Sequence, residues 1–101
     1  MKKRFVWDPD KAASNARKHG ITFGAAIVAF ADPFALTVQD RFEDGEERWQ
    51  TLGIAEGYML LMVAHTIREM DENGEELEII RIISARRADR QERRRYEQET
   101  R

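Results

Sequence analysis

The stretch IIRIISARRADRQERRRY, residues 79–96, contains the clearest secondary-structure signals of this chain. Its first part belongs to an isoleucine-rich run, LEIIRIIS at 77–84, and β-branched side chains favour a strand. Because both alternating faces of the run are apolar, we predict a central strand that is covered on two sides. Asp89 and Glu92 then form a capping-box pattern, which predicts a helix from about Arg90 to the C-terminus.

The part of the chain that precedes this stretch alternates strand-like runs with turn signals. Asn73-Gly74 and Asp44-Gly45 are typical hairpin turns, and Glu56-Gly57 is a further turn. The predicted strands between them are Ala35–Gln39, Arg48–Ile54 and Tyr58–Ile67. These strands and the isoleucine-rich run predict an antiparallel sheet of about four strands.

Two helices precede the predicted strands. Asp8 and Pro9 begin the first helix, and Gly20 ends it. Thr22 begins a second, shorter helix, whereas residues 5–7 are only a short extended piece. The fold class is therefore α+β, with two N-terminal helices and a C-terminal helix beside the sheet.

The composition limits the class of protein. A length of 101 residues predicts one domain over residues 1–101. The chain has no cysteine, which rules out disulfides and thiolate metal sites. No signal-peptide pattern is present, and no apolar run approaches the roughly 18 residues of a membrane span. We therefore expect a cytoplasmic protein with no membrane partner.

The charges are segregated along the chain. Residues 1–20 carry six Lys/Arg and two Asp, and residues 81–101 carry eight Arg and four Asp/Glu. Residues 21–80 carry three Arg and thirteen Asp/Glu. If the two basic ends meet in space, they form a cationic patch that suits a nucleic-acid backbone or an acidic protein partner.

The candidate functional residues are mostly arginines on or beside strands. No paired histidine motif, phosphate-binding loop or nucleophile elbow is present, so we expect no metal and no cofactor. Arginine binds phosphate with two parallel hydrogen bonds, and histidine, lysine or tyrosine can move protons. Trp49 either stacks on a base or is a core residue. Arg81 either contacts phosphate or packs its stem on the sheet. The arginines are Arg48, Arg68, Arg81, Arg86 and Arg87.

Seven short motifs along the chain occur in an order that resembles the BrnT family, the toxins of BrnT–BrnA type II toxin–antitoxin systems. They are Phe5-Val6-Trp7-Asp8-x-x-Lys11, Asn15-x-x-Lys18-His19-Gly20-Ile21-x-Phe23, Phe30-x-Asp32-Pro33, Glu47-Arg48-Trp49-x-x-x-Gly53, His65-Thr66-x-Arg68, Ile82-Ile83-Ser84-Ala85-Arg86-Arg87-Ala88 and Glu92-Arg93-x-x-Tyr96.

This resemblance implies a small RelE-like fold and a metal-independent endoribonuclease that slows growth by cutting cellular RNA. It also implies a BrnA-like ribbon-helix-helix antitoxin, a toxin–antitoxin heterotetramer, and operator DNA bound through the antitoxin. Two alternatives remain open on the same fold: a non-catalytic binding module and a gyrase-poisoning toxin.

The resemblance also implies roles for individual residues. We expect Arg48 and Arg86 to hold the phosphate, Arg68 and Arg81 to form a cationic floor, and His19 or His65 to carry the proton. The expected catalytic set is His19, Arg48, Arg68, Arg81, Ser84 and Arg86. The expected RNA-binding set is Lys18, Trp49, His65, Arg87 and Tyr96. The basic C-terminal helix is one candidate for the antitoxin-binding face.

Overall fold

The structure is a computed structural model that describes residues 2–99. The C-terminal helix is predicted to run to the end of the sequence, and its last two residues, 100 and 101, lie outside the described residues. None of the helices within residues 2–99 is long and apolar enough to cross a membrane. The elements in chain order are β1 (Lys2–Val6), α1 (Pro9–His19), α2 (Phe23–Ala29), β2 (Leu36–Glu43), β3 (Glu46–Ala55), β4 (Met59–Glu72), β5 (Glu75–Arg87) and α3 (Arg90–Glu99).

The sheet has five strands in the order β1-β5-β4-β3-β2, and it is mixed. Strands β2 to β5 are antiparallel neighbours, but β1 pairs with β5 in parallel, from Lys2 opposite Leu77 to Val6 opposite Arg81. The prediction of about four antiparallel strands was therefore wrong by one strand. The missed strand is short and highly charged, and its partner lies more than 70 residues away in sequence.

The two tight hairpins and the helix ends follow the predicted local signals. Asp44, Gly45, Asn73 and Gly74 all have positive φ, between 53° and 79°, as a two-residue hairpin turn requires. Asp8 caps α1 by accepting a hydrogen bond from the Asp10 N–H. At the C-terminal end of α1, Gly20 adopts the left-handed backbone conformation.

Helix α2 covers one face of the sheet. The core between them contains Phe23, Ala26, Leu61, Val63 and Ile82, all nearly inaccessible to solvent. The opposite face is open along the middle of β5, where Ile79 and Ile83 are only half-buried, whereas Leu52, Leu60 and Met62 farther along that face are buried. The prediction that this strand is covered on both sides was therefore wrong, because no second layer covers its middle.

Helix α1 lies beside β5 at the point where β1 ends. Asn15 is buried, and its amide donates hydrogen bonds to the carbonyl oxygens of Ile21 (2.9 Å) and Ala85 (2.8 Å). Its Oδ1 accepts a hydrogen bond from the Ala85 N–H at 3.0 Å. The Asn15 side chain thus replaces a neighbouring strand for Ala85, which fixes α1 along the rim of the open face.

A β-bulge interrupts β5 near its middle. Ala64 of β4 pairs with Ser84, and the next residue, His65, pairs with Ile82, so Ile83 is the extra residue. A bulge changes which side chains point to each face. After this bulge, Ser84 points to the same open face as Arg81, which pairs with Thr66.

Candidate active site

The open face of the sheet carries a groove made of three adjoining cavities of about 280, 260 and 200 Å³. The middle cavity shares Glu46 and Arg81 with the first, and Lys11 and Ile83 with the third. We call this surface the cationic groove. The basic side chains that line it are Lys11, Lys18, His19, Arg48, Arg68 and Arg81.

Arg48, Thr66 and Arg81 form a row across three neighbouring strands at the middle of the groove. Thr66 pairs directly with Arg81, and Arg48 precedes the pairing of Trp49 with His65 by one residue. Since successive side chains alternate between faces, Arg48 points to the open face together with Thr66 and Arg81. Two guanidinium groups are thus presented from rigid strands to the same cavity.

The two arginines have different partners. Arg81 donates a hydrogen bond from Nη2 to Oε1 of Glu46 at 2.6 Å. Arg48 is only 15% exposed, and its Nη1 lies 3.8 Å from Oε2 of Glu43. Its Nε is buried and has no hydrogen-bond partner among the described residues. An unpaired buried donor is costly, so it calls for an explanation other than stability.

The groove ends beside α1, where Lys18, His19 and Ser84 line the third cavity. Lys18 and His19 are in the last turn of the helix, and Ser84 follows the bulge in β5. At the other end, Arg68 lines the first cavity with Arg81. The structure therefore brings six of the predicted site residues to one surface: Lys18, His19, Arg48, Arg68, Arg81 and Ser84.

His65 does not reach this groove, so its predicted RNA contact is corrected. It is 1% exposed and lies on the helix-covered face, in edge-to-face contact with Phe30. Its Nε2 lies 2.7 Å from the Thr51 hydroxyl, and its Nδ1 lies 3.3 Å from the Thr66 carbonyl oxygen. Burial lowers the pKa of His65 to about 4. The neutral ring accepts from Thr51 through Nε2 and donates to Thr66 through Nδ1.

Arg86 is held by α3 rather than presented to the groove. Its Nη1 and Nη2 donate to the two carboxylate oxygens of Glu92 at 2.8 and 2.9 Å. Glu92 also completes the predicted capping box with Asp89, since each side chain accepts from the other residue's N–H. The hydrogen bond from Glu92 raises the pKa of Arg86. This arginine therefore anchors the C-terminal helix, and its predicted phosphate contact stays a prediction.

Three other predicted RNA-binding residues also lie outside the groove. Trp49 points to the face opposite Arg48, because it pairs with the buried His65. Arg87 is exposed at the end of β5 and lines none of the three cavities. The Tyr96 hydroxyl donates to Oδ2 of Asp32.

The Tyr96–Asp32 pair joins α3 to the turn after α2. Burial, together with this hydrogen bond, raises the pKa of Tyr96 to about 12. Burial alone would raise the pKa of Asp32, but the bonds from Tyr96 and from the N–H groups of Ile54 and Phe34 lower it. Tyr96 is therefore a structural donor in this arrangement rather than a group that can readily lose its proton.

Two groove residues were missed from the sequence, Lys11 and Glu46. Lys11 faces the middle cavity from the first turns of α1. Glu46 lies between the predicted Asp44-Gly45 turn and the predicted strand from Arg48, but it is the first residue of β3. The available signal was its spacing from Arg48, because residues two apart on a strand share a face.

The basic ends of the chain meet only in part. Lys2 and Arg4 of β1 form ion pairs with Glu75 and Glu72 of the acidic hairpin. Within residues 2–99, no three histidine or acidic side chains converge as a metal site would require.

Comparisons with known proteins agree with this architecture. The sequence model of a family described as the ribonuclease toxin, BrnT, of type II toxin–antitoxin systems matches residues 7–92. The crystal structure of the Brucella abortus ribonuclease toxin, BrnT, has a TM-score of 0.55 at 20% identity, covering 89% of this chain and 100% of that one. A comparison with curated proteins finds no match. Since the family match spans most of the sequence, this chain belongs to the BrnT family of ribonuclease toxins of type II toxin–antitoxin systems.

Proposed function

We propose that this toxin is a metal-independent endoribonuclease that cuts cellular RNA in the cationic groove and thereby arrests growth. The observation that carries the proposal is the row of Arg48, Thr66 and Arg81 on the open face, with Lys11 lining the same cavity. Guanidinium groups held by strands bind phosphate in a fixed geometry and stabilise the negative charge that develops during phosphoryl transfer.

Arg48 is the residue on which this proposal depends most. Its stem is buried and its Nε is unpaired, while its Nη1 has only the long contact with Glu43. A guanidinium in this state has N–H groups left to bind an anion. The low local dielectric of a largely buried side chain strengthens such a bond.

Lys18, His19 and Ser84 extend the groove beyond the proposed phosphate site. We assign to them the binding of a neighbouring nucleotide, because lysine and histidine near a helix end can contact the sugar–phosphate backbone. Arg68 has the same role at the opposite end, where it shares the first cavity with Arg81.

We further propose that the toxin acts in the cytoplasm and is neutralised by a ribbon-helix-helix antitoxin. The two proteins would form a heterotetramer that binds operator DNA through the antitoxin. Membership of a toxin–antitoxin family supports an antitoxin partner. We expect the antitoxin to contact helix α3 through an acidic surface, because the exposed side chains of α3 are rich in arginine. They include Arg90, Arg93, Arg94 and Arg95.

The test is an RNA-cleavage assay in excess EDTA, on naked RNA and on mRNA bound to translating ribosomes. Wild type is compared with Arg48→Ala and with Arg4→Ala, whose arginine is exposed, pairs with Glu72 and lines none of the three cavities of the groove. We expect cleavage by wild type and Arg4→Ala, and a loss of about 100-fold or more in Arg48→Ala.

No cleavage of either substrate by folded wild-type protein would refute the ribonuclease proposal. Plasmid supercoiling and total RNA from arrested cells would then distinguish a gyrase poison from a docking module. Cleavage by Arg48→Ala at the wild-type rate would refute only the assignment of Arg48 to the phosphate site, and would leave the ribonuclease proposal standing. Loss of antitoxin binding on replacing the α3 arginines, with RNA cleavage retained, would support the proposed partner surface.

A further inference from the structure

Glu46 lies at the centre of the middle cavity of the cationic groove. It begins β3, and its Oε1 accepts the 2.6 Å hydrogen bond from Arg81. Arg48 follows two residues later on the same face of the strand, and Lys11 lines the cavity from α1. The side chains of Glu46 and Arg81 are 42% and 41% exposed, so an incoming substrate can reach both.

The surrounding cations keep this carboxylate ionised. The hydrogen bond from Arg81, and then the positive charges of Arg81, Arg48 and Lys11, lower the pKa of Glu46 against the opposing effect of burial. A negatively charged group therefore lies among the cations that suit a phosphate. Such a group repels the RNA backbone and weakens binding, so its presence calls for a role other than binding.

We propose that Glu46 is the general base of RNA cleavage, an inference that rests on the proposed ribonuclease function. Its carboxylate removes the proton from the ribose 2′-hydroxyl while Arg48 and Arg81 hold the adjacent phosphate. The 2′-oxygen forms a bond to phosphorus, and the bond from phosphorus to the 5′-oxygen breaks. The leaving 5′-oxygen takes a proton from water, and Glu46 returns its proton to the resulting hydroxide. The products are a 2′,3′-cyclic phosphate and a 5′-hydroxyl.

Three other proton acceptors, His65, His19 and Asp8, fit this role less well. His65 is buried on the opposite face, and His19 lines a different cavity from Arg48 and Arg81. Asp8 lines the middle cavity, but its carboxylate accepts the capping bond of α1. Glu46 contacts Arg81 directly and is accessible from solvent, so the 2′-hydroxyl beside a phosphate bound there can come within hydrogen-bond reach of its carboxylate.

The test compares wild type with Glu46→Gln and Glu75→Gln. Glu75 is a matched control, because it also begins a strand after a two-residue turn and pairs with a cation, Lys2, but lies outside the groove. Initial rates are measured in EDTA from pH 3 to pH 8, because the lowered pKa of Glu46 places its acid limb below its ordinary value of 4.5. Both naked RNA and ribosome-bound mRNA are used, and products are analysed for cyclic phosphate ends.

We expect Glu46→Gln to lower kcat about 100- to 10,000-fold, as loss of a general base does. Its KM should stay equal or fall, because a negative charge has been removed from the groove. The residual rate should lose the acid limb of the wild-type pH profile. Glu46→Asp should recover part of kcat, and Glu75→Gln should match wild type at every pH.

Several outcomes would overturn the inference. A kcat for folded Glu46→Gln within threefold of wild type, or an increase in rate, would show that Glu46 only forms an ion pair with Arg81 and takes no part in the reaction. An unchanged acid limb would assign the proton transfer to another group. Inactive wild type on both substrates would instead refute the proposed function, which separates the two failures. Circular dichroism of each variant verifies that the protein is folded.

Discussion

Replacing Asn15 of α1 with alanine should destabilise the protein strongly, because its buried side chain bonds to the backbone of β5. This side chain is 6% exposed and makes three hydrogen bonds, two to Ala85 and one to Ile21. Its side chain contacts the edge of β5 at Ala85, beyond the residues of β5 that pair with β1. That pairing ends at Arg81. Alanine leaves three backbone groups without these partners at a site that is closed to solvent.

The magnitude follows from those three bonds. A buried hydrogen bond contributes about 1 kcal/mol net, and a buried group left unpaired costs about 1–3 kcal/mol. Allowing for relaxation, we expect the free energy of unfolding to fall by about 3 kcal/mol, a large share of the roughly 5–15 kcal/mol of a typical domain. At about 4–8 °C per kcal/mol for a domain of this size, Tm should fall by roughly 12–24 °C.

Urea titration and thermal unfolding, both followed by circular dichroism, measure the change. Ser14→Ala is the matched control, since Ser14 is the preceding residue of α1 and is exposed. Asn15→Asp should be at least as damaging as Asn15→Ala, because it keeps the acceptor for the Ala85 N–H but loses both donors and buries a charge. A loss below about 0.5 kcal/mol in Asn15→Ala, the scatter expected of surface changes, would refute the reasoning.

Three further predictions concern the core, its pH response and the C-terminal helix. Gly53→Ala should cost about 2–3 kcal/mol in urea unfolding, because the added Cβ would overlap the backbone carbonyl of Ala29; an unchanged midpoint would contradict this. Burial lowers the pKa of His65 from 6.5 to about 4, so stability is full above pH 6.5 and falls by up to about 3 kcal/mol toward pH 4. Urea titrations of His65→Gln should show this slope reduced, and an equal slope would assign the acid sensitivity to other groups. Glu92→Ala should cost about 2–3 kcal/mol and expose α3 to limited proteolysis, and a double-mutant cycle with Arg86→Ala should show coupling above about 0.5 kcal/mol.

Two control variants match these changes. Gly24→Ala adds the same methyl group within α2, where its nearest neighbour would be the Thr22 hydroxyl at 3.9 Å. It should be neutral or stabilise the protein by about 1 kcal/mol, because alanine favours a helix over glycine. Glu99→Ala removes an exposed carboxylate at the end of α3 and should leave proteolysis of that helix unchanged.

Features that depend on neighbouring residues could be predicted from the sequence. The turns at Asp44-Gly45 and Asn73-Gly74 need positive φ, which their residue types adopt at low cost. The capping box of Asp89 and Glu92 satisfies backbone groups within one helical turn. In each case the energetic reason for the structure lies within four residues, so the sequence carries the whole signal.

The first strand could not be predicted in the same way. Lys2–Val6 is mostly charged and exposed, so it has no apolar alternation that would indicate a strand. Its stability comes from pairing with β5 and from ion pairs such as Lys2–Glu75. These partners are brought together only by the tertiary fold, which is why the sequence shows the residues as a short extended piece.

The candidate site depends on a feature of the backbone that no motif contains. Arg81 and Ser84 are three residues apart, and in a regular strand they would point to opposite faces. The extra residue Ile83 changes this alternation, so that Ser84 faces the groove with Arg81 while Ile82 remains in the core. The same alternation places Thr66, rather than the adjacent His65, beside Arg81. A shift of one residue thus decides which of two neighbouring side chains faces the groove, and the bulge places Ser84, beside α1, on the same face as Arg81.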